Sequence, residues 1–199
     1  MENYLLYAPA CFAVNMAFGP NNLMAINNAV QKGVLFAWVA SFGRIVSFAI
    51  MIALSALGLG IILSTSPILF TILKLLGAAY LTWIGYTVFR DSLIVKDTTI
   101  TAQDIPMSKA MKREAMTALA NPKAILVFAA FIPSFVDTNN YAVSYSILGL
   151  IFLAFELVAI AIYAGIGSYT AKSAKLQLHW MQRISGIGMM IFGVLMIFA

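Results

Sequence analysis

Six stretches of the chain, residues 4–27, 34–62, 67–89, 115–136, 143–169 and 180–198, are each about twenty residues long or longer and predominantly apolar. About 20 residues of helix, rising 1.5 Å each, cross the ~30 Å hydrocarbon core of a bilayer. No water is present there to satisfy backbone N–H and C=O groups, so only helices and closed barrels can span it, and continuous apolar runs of this length read as helices. The sequence therefore predicts an all-α fold, a polytopic membrane bundle of six transmembrane helices. Composition excludes the soluble alternative. The chain is 62% hydrophobic and 10% charged, against about half and about a quarter in soluble domains, which leaves too little polar surface to cover a water-facing core.

Ser64-Thr65-Ser66-Pro67 supplies a turn between the second and third spans, with Pro67 placed at the first turn of the next helix. The one long polar stretch, residues 90–114, carries Arg90, Lys96, Lys109, Lys112 and Arg113 beside Asp91, Asp97, Asp104 and Glu114. It divides a single membrane domain into two halves of three spans, about 1–89 and about 115–199. Lys32 lies in the loop after span one, and Lys172 and Lys175, with Arg183 nearby, in the loop after span five; the remaining connections and both ends contain neither Lys nor Arg. Basic loops mark the cytoplasmic face, so both termini are expected outside. The same loops facing an anionic leaflet account for the net charge of +5 without nucleic-acid binding. Met1-Glu2-Asn3 has no basic leader, so the first span is expected to be retained. One cysteine, Cys11, and one histidine, His179, offer no disulfide, thiolate cluster or multi-histidine metal site.

Helix breakers inside spans are the first functional signal, because a proline at membrane depth frees backbone groups that a neighbour, water or ligand must satisfy. Span one contains Gly19-Pro20-Asn21-Asn22; span four contains Asn121-Pro122-Lys123 and, further on, the helix break at Pro133. Asparagines beside prolines suggest a polar opening in the bundle, the plainer reading being an Asn-capped kink. Pro20 descends to about 10 Å from the inner end of its span at 1.5 Å per residue, and Pro122, entering from that face, lies about equally deep. The two breaks are expected to meet at one level. The spacing from Pro20 to Pro133 nearly equals that from Arg44 to Glu156, which suggests two inverted three-helix repeats with a site at their interface. Arg44 in span two and Glu156 in span five are the ionisable groups nearest the midplane. Each costs about 2.5–3.5 kcal/mol alone, so a charge pair or a function is expected of them. Lys74 and Lys123 lie nearer the outer and inner faces, where a long side chain can snorkel.

These words resemble those of the LysE/RhtB family of amino-acid exporters. Gly19-Pro20-Asn21-Asn22 with Lys32-Gly33 is similar to its first-span signature, Lys74 through Tyr80 to Gly85 to its third-span block, and Asn121-Pro122-Lys123-Ala124 through Pro133 to Asp137 to its fourth. Glu156 with Tyr163 resembles its fifth-span pattern, so the likeness covers nearly the whole chain. The resemblance implies export of amino acids from the bacterial cytoplasm across the inner (cytoplasmic) membrane by proton antiport, with no cofactor; a homodimer is compatible with it. Phe18 stands where the family has its first Pro, and Arg44 is a further departure. No Asp or Glu lies between Glu2 and Asp91 or between Pro122 and Pro133, unlike the branches exporting lysine or arginine. Neutral substrates, as in the homoserine/threonine-type branch, are therefore expected.

On this reading Gly19, Pro20, Asn21, Asn22, Asn121, Pro122 and Lys123 bind the substrate's ammonium and carboxylate, Glu156 couples protons, and Lys74, Tyr80 and Tyr163 are accessory. The alternatives are an intramembrane enzyme, which would need a nucleophile and base motif that the spans lack, a thiol-redox carrier, which would need a cysteine pair, and a non-transporting assembly partner.

Overall fold

The computed structural model describes residues 2–93, 105–168, 180, 183–184, 186–191 and 193–194. All its elements are helical: α1 Glu2–Met16, α2 Pro20–Ala40, α3 Phe42–Thr65, α4 Pro67–Asp91, α5 Met107–Leu119, α6 Pro122–Leu126 and α7 Tyr141–Ser168. Pro20–Gly58 and Thr138–Ser168 are long and apolar enough to cross a membrane, and α5 with the segment Lys123–Phe135 passes the same test as a pair bent by 61°. Large apolar side chains such as Leu35, Leu57 and Leu150 face outward, as a lipid solvent permits.

The first predicted span is two helices rather than one. Pro20 disfavours a helical conformation at the preceding residue, and Gly19 is fully extended (φ −166°, ψ −178°). α1 therefore stops at Met16, and α2 restarts with Pro20 in its first turn, where the missing N–H costs nothing. The expected loop after span one is a single residue: Gly33 takes φ +85°, the one positive φ among the described residues. Only glycine adopts this without a Cβ penalty.

Span four is likewise broken, and it begins later than predicted. α5 precedes it as an amphipathic helix, burying Ala110, Glu114 and Ala118 and exposing Lys109, Lys112 and Arg113. Asn121 and Pro122 then turn the chain into α6, which widens into a π turn at Val127–Phe131 and ends in a 3₁₀ turn, Pro133–Phe135. Within the π turn Ile132 N–H donates to Val127 O (3.1 Å). The next such bond, to Phe128 O, is denied because Pro133 has no N–H. Ser55 and Tyr145 hydroxyls donate to that carbonyl instead, at 2.6 and 3.2 Å.

α1 and α2 pack on α7, and α3 packs on α5. The α3–α5 approach is close because residue 43 is glycine: a Cβ there would collide with the Met111 carbonyl. Below the break, Phe48, Phe128 and Phe152 form an edge-to-face triangle with centroids 5.0–6.0 Å apart. Near the C-terminal end, Gly85 of α4 lies against the Gly186 backbone. The loop before the sixth predicted span lies outside the described residues, as do eight of that span's nineteen residues and the side chains of Lys74 and Tyr80.

Candidate translocation site

The two breaks meet. Asn121 Nδ2 donates to Asn21 Oδ1 at 2.8 Å, while Asn121 Oδ1 caps α6 by accepting from Lys123 N–H at 3.0 Å. An asparagine N-cap satisfies one of the free amides of a helix start, and here the same side chain also ties the two restarts together. Pro20 and Pro122 head the two helices that meet, whereas Pro133 lies beyond the π turn.

Three side chains finish the carbonyl end of α1, whose last C=O groups lack i+4 helical partners. Asn22 Nδ2 donates to Asn15 O and Ala17 O (3.1 Å each), and Tyr163 hydroxyl donates to Met16 O (2.8 Å). Lys123 Nζ donates to Val14 O and Ala17 O at 3.3 and 2.9 Å; within the helix, Asn15 Nδ2 turns back to Cys11 O (2.9 Å). Lys123 therefore does not snorkel to the inner face. Its ammonium sits where the helix dipole is most negative.

Arg44 lies beside this junction, fully buried. All five guanidinium N–H donors are used: Nε and Nη2 donate to Glu114 Oε2 (3.0 and 2.8 Å), and Nη1 to Glu156 Oε1 (2.7 Å) and Asn22 Oδ1 (3.3 Å). The last donor, on Nη2, reaches Asn21 O (2.5 Å). Asn28 Nδ2 donates to the remaining Glu114 oxygen at 3.0 Å. Glu114, Asn28 and Asn15 were not singled out from the sequence. Glu114 was read as part of a solvated loop, yet it is 0% exposed; its spacing of four from Ala110 and Ala118 on one helix face was the available signal.

A cavity of about 20 Å³, lined in part by Asn15, Asn21, Lys123, Phe48, Phe152 and Glu156, opens at the break. It holds about one water. Two buried polar atoms among its lining side chains have no partner, the acceptor Asn15 Oδ1 and the donor Asn21 Nδ2.

Broken helices meeting at a buried charged cluster in a lipid-facing bundle define a membrane transport protein, since irregular backbone is tolerated at this depth only where it lines a cavity or is buried in protein. The LysE type translocator family model matches residues 12–199. The chain belongs to that family and is a transporter, not an enzyme. It is 26% identical over 197 residues to the leucine efflux protein of Klebsiella pneumoniae, covering 98% of this chain and 91% of that one. It is 32% identical over 148 residues to the leucine efflux protein of Salmonella typhimurium (73% and 70% of the two chains) and 29% over 167 residues to that of an Enterobacter species (82% and 79%). No solved structure matches the chain.

Proposed function

We propose that this protein exports small neutral amino acids, leucine or a close relative among them, from the bacterial cytoplasm across the inner membrane, driven by the proton motive force. The observation that carries the reading is the pair of unpartnered atoms on one cavity. A buried polar group without a partner costs about 1–3 kcal/mol, and a zwitterion relieves both, its ammonium donating to Asn15 Oδ1 and its carboxylate accepting from Asn21 Nδ2. The amide end of α2 has no side-chain cap, so the carboxylate also meets a positive helix end.

Neutral side chains fit best because the two nearby carboxylates are already committed to Arg44, leaving no counter-charge for a lysine or arginine side chain. Phe48, Val127 and Phe152 supply an apolar wall, and the relatives' names point the same way. A cavity of about 20 Å³ is too small for leucine, so uptake from the cytoplasm requires one half of the bundle to move against the other. Six spans, both termini outside and two inverted repeats belong to this reading. The packing of α1 on α7 and of α5 on α3 supports the repeats alone.

The test is accumulation of radiolabelled amino acids by inverted membrane vesicles energised with a proton gradient. Leucine and other neutral amino acids are expected to accumulate and to be released by a protonophore. Accumulation of lysine or arginine alone, or of no amino acid, would overturn the proposal.

A further inference from the structure

We propose that Lys123 is the group that exchanges the transported proton, and that it does so because its ammonium and the substrate's ammonium compete for the carbonyl end of α1. The inference rests on the amino-acid export reading above.

Lys123 is a tethered version of the group it would greet. Its –NH₃⁺ donates to Val14 O and Ala17 O and makes no ion pair among the described residues. The unpartnered acceptor Asn15 Oδ1 lines the same cavity, so an incoming α-ammonium finds its acceptors beside or beneath Lys123. Two ammonium groups at one helix end repel each other. The charged neighbours of Lys123 are Glu156 of α7 and Arg44 of α3, with Glu114 of α5 behind Arg44; Cys11 of α1 and Tyr163 of α7 are the titratable neutral groups of the cluster.

Position decides which group gives up a proton. Arg44 with Glu114 and Glu156 sums to −1, and charged Lys123 brings the cluster to zero. A zwitterion adds no net charge, but it places its ammonium at the carbonyl end of α1 and its carboxylate at Asn21 and the amide end of α2, so Lys123 can release its proton without leaving the α1 carbonyls and Glu156 without a neighbouring cation. In that step one Nζ–H bond breaks, the electron pair stays on nitrogen as a neutral amine, and the proton passes to water at the cytoplasmic side. When substrate leaves on the outside, the amine takes a proton from water there and Lys123 regains the carbonyls. Each substrate exported thus returns one proton inward. Glu156 is then a fixed counter-charge rather than the carrier, since it accepts from Arg44 at 2.7 Å and neutralising it would remove one of the two carboxylates that hold the buried guanidinium. By linkage, a proton that weakens substrate binding is expelled by substrate to the same degree.

The experiment measures protons released into weakly buffered solution when leucine is added to the purified full-length protein, normalised to leucine bound. About one proton per leucine is expected from the natural protein, and close to none from Lys123→Gln and from Lys123→Arg, whose guanidinium keeps its proton. Release that persists in both variants, or that vanishes only in Glu156→Gln, would overturn the assignment. If Lys123→Gln fails to reach the membrane, Lys123→Arg decides alone by the same ratio. Failure of the export reading looks different: the natural protein would then bind and exchange no amino acid in proteoliposomes.

Discussion

Replacing Arg44 by Met removes the cation that holds two buried carboxylates, and the structure ranks its cost against those of its partners. Removing one member of a buried ion pair costs about 3–5 kcal/mol in soluble interiors, because the other is left uncompensated. Arg44→Met strands both Glu114 and Glu156, so its cost should reach the top of that range. Glu114→Gln weakens two bonds from Arg44 and one from Asn28 but leaves the guanidinium paired with Glu156. Glu156→Gln weakens one charge-assisted bond, worth about 1.5–3 kcal/mol, and leaves Arg44 paired with Glu114. The expected order of destabilisation is Arg44→Met, then Glu114→Gln, then Glu156→Gln. The triple variant should recover most of the loss, since neither a stranded carboxylate nor a stranded guanidinium remains. Unfolding in mixed micelles of mild and denaturing detergent, followed by tryptophan fluorescence, measures these differences. Arg44→Met within about 1 kcal/mol of the natural protein, or Glu156→Gln costing as much as Arg44→Met, would refute the reasoning.

Asn121→Ala should cost about 1–2 kcal/mol in the same assay through loss of the α6 cap, and should lower export further because the tie to Asn21 goes with it. Gly43→Ala should destabilise by forcing α3 away from the Met111 carbonyl, whereas Gly58→Ala, with open space around it, should gain about 0.5–1 kcal/mol of helix propensity. Reporter fusions to both ends should read as periplasmic, and a cytoplasmic C-terminus would break the six-span scheme. Overproduction should raise bacterial tolerance to a toxic leucine analogue and leave tolerance to lysine and arginine analogues unchanged; the reverse pattern in growth assays would remove the neutral-substrate reading.

The parts of this architecture that were legible beforehand are those with a large local cost. Proline at membrane depth made Pro20 and Pro122 readable as breaks, and the price of an isolated midplane charge made Arg44 and Glu156 readable as partners; they lie 2.7 Å apart. What escaped was information spread over distance. Glu114 sits in a charge-rich stretch whose composition says water, and only the packing of α5 on α3 through Gly43 buries it. Asn15 is a single polar residue inside an apolar run and Asn28 belongs to an Asn pair at the end of one, and their roles depend on which helix faces them. Lys123 was read both as a snorkelling side chain and as a substrate ligand, and neither reading pointed to the partner it has. The carbonyl end of α1 that holds it exists only because Gly19 is extended and the first span is interrupted.

The shared finishing of α1 has a consequence for biogenesis. α1 leaves the ribosome before the groups that complete it: its carbonyls are met by Asn22, a few residues on, then by Lys123 and Tyr163, which emerge much later. Until α6 and α7 have been inserted, the nascent chain holds a half-completed helix end that lipid cannot hydrate. A fragment stopping after α4 should therefore be held by the insertion machinery or cleared by membrane proteases, and co-expression of the missing half should rescue it. Synthesis would then be inspected as α6 and α7 arrive, with α1 reporting whether they have.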